Sequence, residues 1–268
     1  MIHSTALTEA QLMKAAPSIF ATAPHHRVSD RYGFVPTIEV IRAFQQEGWF
    51  PVRAQQSRVR DLSRREHTRH MVRMRRVGDQ VIQVGDALAE LVLTNSHDAS
   101  SAYQLDIGLF RLACLNGMVT SMGEGSSLRV RHGKNVVGDI IEGSYQLLDT
   151  VPRIAASVDR FREIELDRHE QGLFAESALE ARYGEDWARK SPVEPFQLIR
   201  ARRSEDARDD LWSTYNRVQE NLVRGGLRGR AQSGRRVRTR PIGSVVEDVR
   251  LNRALWRLTE RFAELKAA

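Results

Sequence analysis

A single cysteine, Cys114, stands in the whole sequence, which excludes an intrachain disulfide and any cysteine-rich zinc site. Lysine is almost as scarce: four lysines against 37 arginines, so guanidinium groups carry nearly all the positive charge. No apolar run reaches the ~18 residues of a membrane span. The N-terminus, MIHSTALTEAQLMK, lacks a basic segment followed by an apolar block, so no secretory signal is expected. These absences read as a bacterial cytoplasmic protein with no membrane partner. Nucleotide and hydrolase signatures are missing too. GEGSS at 123–127 and Val223-Arg-Gly-Gly-Leu-Arg are glycine-rich, but neither has the lysine or the spacing of a phosphate-binding P-loop. No G-x-S-x-G, H-E-x-x-H or EF-hand pattern occurs. No cofactor is expected and no catalytic residue is assigned.

What the sequence does have is 268 residues, enough for one large domain or two small ones, and a formal net charge of +7. The arginines are unevenly placed. Nine lie between Trp49 and Val77 with only Asp61 and Glu66 among them, and seven lie between Arg224 and Arg240 with no acid at all. Two basic regions beside a near-neutral body favour a polyanionic partner.

Residues 1–35 read as an N-terminal arm. Thr37, after Pro36, is placed to cap a helix over Ile38–Gln46, with Ile38, Ile41 and Phe44 on one side and Gly48 at its end. The period then changes to two. Four strands are expected at 49–60, 68–77, 87–94 and 101–114, joined by short connections into an antiparallel meander. Apolar positions from Val136 to Ile164 recur at three and four, giving one long helix that Pro152 kinks or divides. Gln171-Gly172 breaks that pattern. Shorter helices come next at Leu173–Tyr183 and Asp206–Arg224, then an irregular Gly/Arg-rich loop at 224–240 and a closing helix at 245–265. The fold class is α+β: a four-stranded antiparallel meander packed on helices, followed by a mostly helical C-terminal half. Its parts are the arm at 1–35, a core with the long helix at 36–165, and a helical region at 166–268.

The candidate site residues are of two kinds. Arg69, Arg73 and Arg75 share one parity on the second strand, with Arg76 beside them, and such a strand can display a positive surface for phosphates. Arg224, Arg228, Arg230, Arg235, Arg236 and Arg238 belong to the glycine-rich segment. Asn95 and His97 lie in Asn-Ser-His-Asp, where turn chemistry is sufficient reason for the residues and a contact to phosphate or base is the added role. Trp49, Phe50 and Tyr103 are the aromatics available to stack bases, with a core position the competing reading. His67, His70, His97 and Asp98 form the alternative, a metal-assisted nuclease. His67 and His70 fall three apart on an expected strand, which puts them on opposite faces and weakens that alternative. An interaction protein that blocks a host factor is the third reading.

NSHDASSAYQLDIGLFRLACLNGMV, the HGKN before the long helix, and YNRVQENLVRGGLRGR with RRVRTRPIGSVVEDVRLNRALW resemble a phage- and plasmid-borne family labelled domain of unknown function 932. The resemblance runs from about Gly33 to the end and implies a setting on a plasmid, phage or integrated element. In element order, a helix ending in Gly48-Trp49, then a meander, then a long helix, the chain is also similar to the Rad fifty-two type of single-strand annealing protein. The expectation is single-stranded DNA binding, with strand annealing by a homo-oligomer, in recombination or establishment of a mobile element.

Overall fold

The computed structural model describes residues 6–28, 32–77, 81–84, 86–111, 117–119, 127–133 and 135–267, with Arg111 and 117–119 described by backbone alone. Cys114, Asn116, Lys134 of HGKN and most of the GEGSS stretch lie outside the described residues. The chain divides into two compact units, one holding residues up to Phe110 and 122–152, the other holding 153–242 and 246–268. The change of unit at Pro152 falls inside what reads in the sequence as a single long helix.

The first unit begins with α1 (Glu9–Ala15), which Thr8 and Gln11 close with a reciprocal capping box. A short 3-10 turn (Pro17–Phe20) comes next. Leu12, Ala16 and Ile19 are buried, and the Leu7 N–H donates to the Pro51 carbonyl, so this segment is tied into the unit. Helix α2 (Thr37–Gln46) buries Ile38, Val40, Ile41 and Phe44. Its N-cap is Pro36 rather than Thr37, because the Thr37 hydroxyl is engaged elsewhere. Gly48, at φ +81°, turns the chain into the sheet, a conformation that glycine takes without steric cost.

The expected meander is present. Strands β1 (Trp49–Gln56), β2 (His70–Arg76), β4 (Ala87–Asn95) and β5 (Tyr103–Arg111) lie in that spatial order. The two-residue β3 (Gln83–Val84) pairs with β4, β7 (Ser127–Val130) pairs with β5, and a short β6 spans Gly117–Val119. Alternation does the sorting: His70, Val72 and Met74 stand opposite Asn95, Leu93 and Leu91, while Met71 and Arg73 stand opposite Thr94 and Val92 on the other face. Helix α3 (Val136–Leu148) approaches β7 so closely that a Cβ on Gly143 would lie 2.2 Å from Leu128 Cδ2. The helix stops at Asp149-Thr150 and α4 (Val151–Glu163) starts anew with Pro152 in its first turn, where a missing N–H costs nothing.

The second unit is built around α8 (Leu211–Arg224), buried on every side from Leu211 to Leu222. Around it lie α4, α5 (Arg168–Tyr183), the short α6 (Trp187–Lys190) and α7 (Pro195–Leu198), and α9 (Val245–Ala267). Helix α5 begins earlier than the sequence pattern suggests and runs through Gly172. An Asp167–Glu170 capping box starts it, and open space surrounds the glycine. Trp212 stacks on Tyr215 with ring centroids 5.7 Å apart, and Phe161 and Trp256 meet edge to face at 5.5 Å. Several buried polar groups of α8 are matched: Gln219 donates to Asn252, Asn221 to the Leu198 carbonyl, and Glu220 accepts from Arg203 and Arg224. Among the described residues no helix is long and apolar enough to cross a membrane.

Candidate nucleic-acid interface

The arginines of β2 do not form an open cationic surface. Arg73 is only 6% exposed and donates to Glu90 Oε2 at 2.7 Å, with its guanidinium 3.3 Å from the centre of the Phe110 ring. Arg75, also buried, donates through Nε to Glu90 Oε1 at 2.8 Å. Burial pulls the Arg73 guanidinium below its usual pKa, and the Glu90 carboxylate opposes that fall. The shared parity is real, but Glu90 on β4 lies on the same face and its single carboxylate binds both guanidinium groups, a partner that the sequence of β2 alone does not reveal. Arg69 donates to the Ser100 carbonyl at 2.8 Å, and Arg76 lies over the Trp49 ring at 5.3 Å. The exposed arginines of this region are Arg53 on β1 and Arg58, Arg60, Arg64 and Arg65 in the β1–β2 connection, none of them singled out by period.

Asn95 and His97 are fully buried, which removes them as direct contacts to a nucleic acid. They belong to a polar cluster centred on Thr37 Oγ1, which lies 2.8 Å from His70 Nε2, 3.1 Å from His97 Nε2 and 3.1 Å from Asn95 Nδ2. A hydroxyl has one proton to give and two lone pairs. The Asn95 amide takes one lone pair. His70 Nδ1 faces the Thr68 carbonyl at 3.1 Å, so it carries the proton and its Nε2 accepts from Thr37. His97 then donates through Nε2 to the second lone pair, which leaves its buried Nδ1 with no partner among the described residues. Burial drives both imidazoles toward the neutral form, His70 to about 4 and His97 to about 2. His70 and His97 thus hold the start of α2 against the sheet. Asp98 is engaged by Arg64 at 2.5 Å and by the Ser100 N–H, as the turn reading requires. His67 packs edge-on against His25. Among the described residues no group of three His, Cys, Asp or Glu side chains is arranged to hold a metal ion. Trp49 and Tyr103 are core residues, so neither is a stacking surface.

The glycine-rich segment is not an irregular loop. Strands β8 (Arg228–Arg230) and β9 (Arg236–Arg238) form an antiparallel ribbon, with Arg228 opposite Arg238, Gly229 opposite Val237 and Arg230 opposite Arg236. The Gly234 N–H donates to the Ala231 carbonyl and the Ala231 N–H to the Arg235 carbonyl, while Gly234 takes φ +78°. That is a type I turn followed by a glycine bulge, a common way to close a tight hairpin. Because side chains alternate, all four arginines project from one face. The opposite face is fixed: a Cβ on Gly229 would meet the Pro192 carbonyl oxygen at 1.9 Å, and the Arg230 N–H donates to that oxygen at 2.8 Å. Gln197 donates to the Arg228 carbonyl and Gln232 to the Arg189 carbonyl. Arg228, Arg230, Arg236 and Arg238 are exposed, as is Arg235 at the turn, and among the described residues none of the five has an ion-pair partner. Together with Gly229 and Val237 the four line an open groove of about 620 Å³. Arg224, by contrast, is paired with Glu220 at 2.6 Å.

A family model described as "Domain of unknown function (DUF932)" matches residues 24–256, a span that takes in both the Thr37 cluster and the ribbon. The chain belongs to the DUF932 family. Two relatives from Escherichia coli (strain K12), UPF0380 protein YafZ and UPF0380 protein YfjQ, are each 42% identical to it over 254 residues, covering 95% of this chain and 90% of the relative. No solved structure matches, so the likeness in element order to annealing proteins gains no structural counterpart. Within this DUF932 chain, the feature that the sequence did not disclose is the ribbon's geometry: the arginines were visible as composition, but their register was not.

Proposed function

We propose that this DUF932 protein binds single-stranded nucleic acid, with the phosphates tracking along the outer face of the β8–β9 ribbon. One observation carries the reading: two pairs of arginines stand directly opposite each other on a backbone held from behind, with no acid among the described residues to neutralise them. Like charges facing across a ribbon destabilise it, and a bound polyanion relieves that repulsion. Guanidinium groups suit phosphate because they present a planar fork of donors. Annealing by an oligomer, in recombination or establishment of a mobile element, is the activity that such binding would serve.

The test is a salt titration of binding to a labelled single strand, monitored by fluorescence anisotropy. Four phosphate contacts on a single strand give a slope of about −3 in log K against log salt, or about 50-fold weaker binding between ~50 and ~200 mM. The double variant Arg228→Glu with Arg236→Glu places one glutamate in each cross-strand pair. The ribbon is then better balanced while its outer face loses its net charge, and the slope should collapse toward zero. A variant with the wild-type affinity and slope would refute the assignment.

A further inference from the structure

We propose that Phe196, backed by Arg200, is a base-stacking platform at one end of the arginine ribbon and restricts the site to strands with unpaired bases; this rests on the ribbon reading above. Phe196 is 54% exposed, and among the described residues the other strongly exposed aromatic, Tyr145, belongs to the sheet unit and hydrogen-bonds to Glu47. The exposure of Phe196 does not come from a loose loop. The segment around it is stapled along β8 at two points, the Pro192 carbonyl accepting from the Arg230 N–H and the Gln197 side chain donating to the Arg228 carbonyl. Glu194 and Gln197 cap each other reciprocally at the start of α7. Asn221, from the buried α8, donates to the carbonyls of Leu198 at 2.7 Å and Arg200 at 3.0 Å. Val193 and Leu198 anchor the segment in the core. Phe196 therefore sits on a fixed support next to Gln197, whose side chain reaches the Arg228 end of the ribbon, with the Arg200 guanidinium 5.6 Å from the ring centroid.

That arrangement puts an exposed, flat apolar surface one residue from the staple that holds the Arg228 end of the ribbon. A nucleic-acid strand offers matching groups, a charged backbone and a flat base, at adjacent positions. In a duplex the base faces are already stacked on their neighbours, so the ring would have nothing to cover. An acidic protein segment would satisfy the arginines but has no systematic use for the ring.

The experiment compares two labelled oligomers of equal length, oligothymidylate and a fully abasic strand with the same phosphates, on the full chain. A duplex and an oligouridylate serve as further arms. The wild type should bind the base-bearing strands more tightly than the abasic one, and Phe196→Ala should lose about 5- to 150-fold on the base-bearing strands and change little on the abasic strand or the duplex. Phe196→Trp should restore the preference. The proposal is overturned if the wild type does not distinguish base-bearing from abasic strands, or if Phe196→Ala weakens both equally. Failure of the underlying reading looks different: the arginine double variant would then bind every strand as the wild type does.

Discussion

Lowering the pH from about 7.5 to about 5 should destabilise the sheet unit through the two imidazoles at Thr37, by an amount set by their burial. His70 and His97 are fully buried, and their pKa values fall from 6.5 to about 4 and about 2. The groups facing His97 are the imidazoles of His67, His70 and His132 and the carboxylate of Asp98, so protonation there meets more repulsion than attraction. Both folded-state values lie below the unfolded value. The stabilisation is therefore complete above pH ~6.5 and is lost as the pH falls toward the folded values. At pH ~5 the unfolded chain holds nearly one proton on each histidine and the folded chain almost none. At ~1.4 kcal/mol per pH unit and site, that costs about 2 kcal/mol per histidine and about 4 kcal/mol for the pair. For a protein of this size the melting temperature should drop by roughly 10 °C. Urea unfolding monitored by circular dichroism at each pH gives the measurement. His97→Gln keeps an amide N–H for Thr37 but cannot titrate. It should be less stable than the wild type at neutral pH and lose about 2 kcal/mol less between the two pH values. If the wild type and His97→Gln lose the same stability on acidification, the buried-imidazole account is wrong.

Two further outcomes are expected from the same structure. Glu90→Ala leaves Arg73 and Arg75 buried without their carboxylate and should cost about 3–5 kcal/mol in urea unfolding. Gly229→Ala forces a methyl group onto the Pro192 carbonyl and should detach the ribbon. Amide exchange at Arg230 should quicken and nucleic-acid affinity should fall, with little change in the melting of the helical core.

The meander and most of the helices were legible because alternation and the three-to-four spacing survive wherever one side of an element meets the core. The break at Pro152 and the turn at Asn95–Asp98 were legible for the chemical reasons that make proline and Asx residues punctuate chains. The pairing of Arg73 and Arg75 was not, because Glu90 lies on another strand, and only the register shows that it shares their face. The β8–β9 ribbon was hidden for a different reason. Its strands are three residues long, alternate arginine with glycine or valine, and owe their geometry to Pro192 and Gln197, some thirty residues earlier. Thr37 looked like a helix cap since threonine after proline commonly is one; its hydroxyl was claimed instead by two distant histidines and an asparagine. Phe196 lies outside any periodic stretch, and its exposure has no signature in the sequence.

Helix α8 has no face turned to water from Leu211 to Leu222. A helix enclosed in this way cannot fray inward from its middle, because each neighbour that leaves uncovers apolar rings and buried polar groups together. Its backbone protons should therefore exchange only when the surrounding helices come apart as one event. The slowest exchange in that unit should mark the stem from which the arginine ribbon grows, while the ribbon itself exchanges quickly.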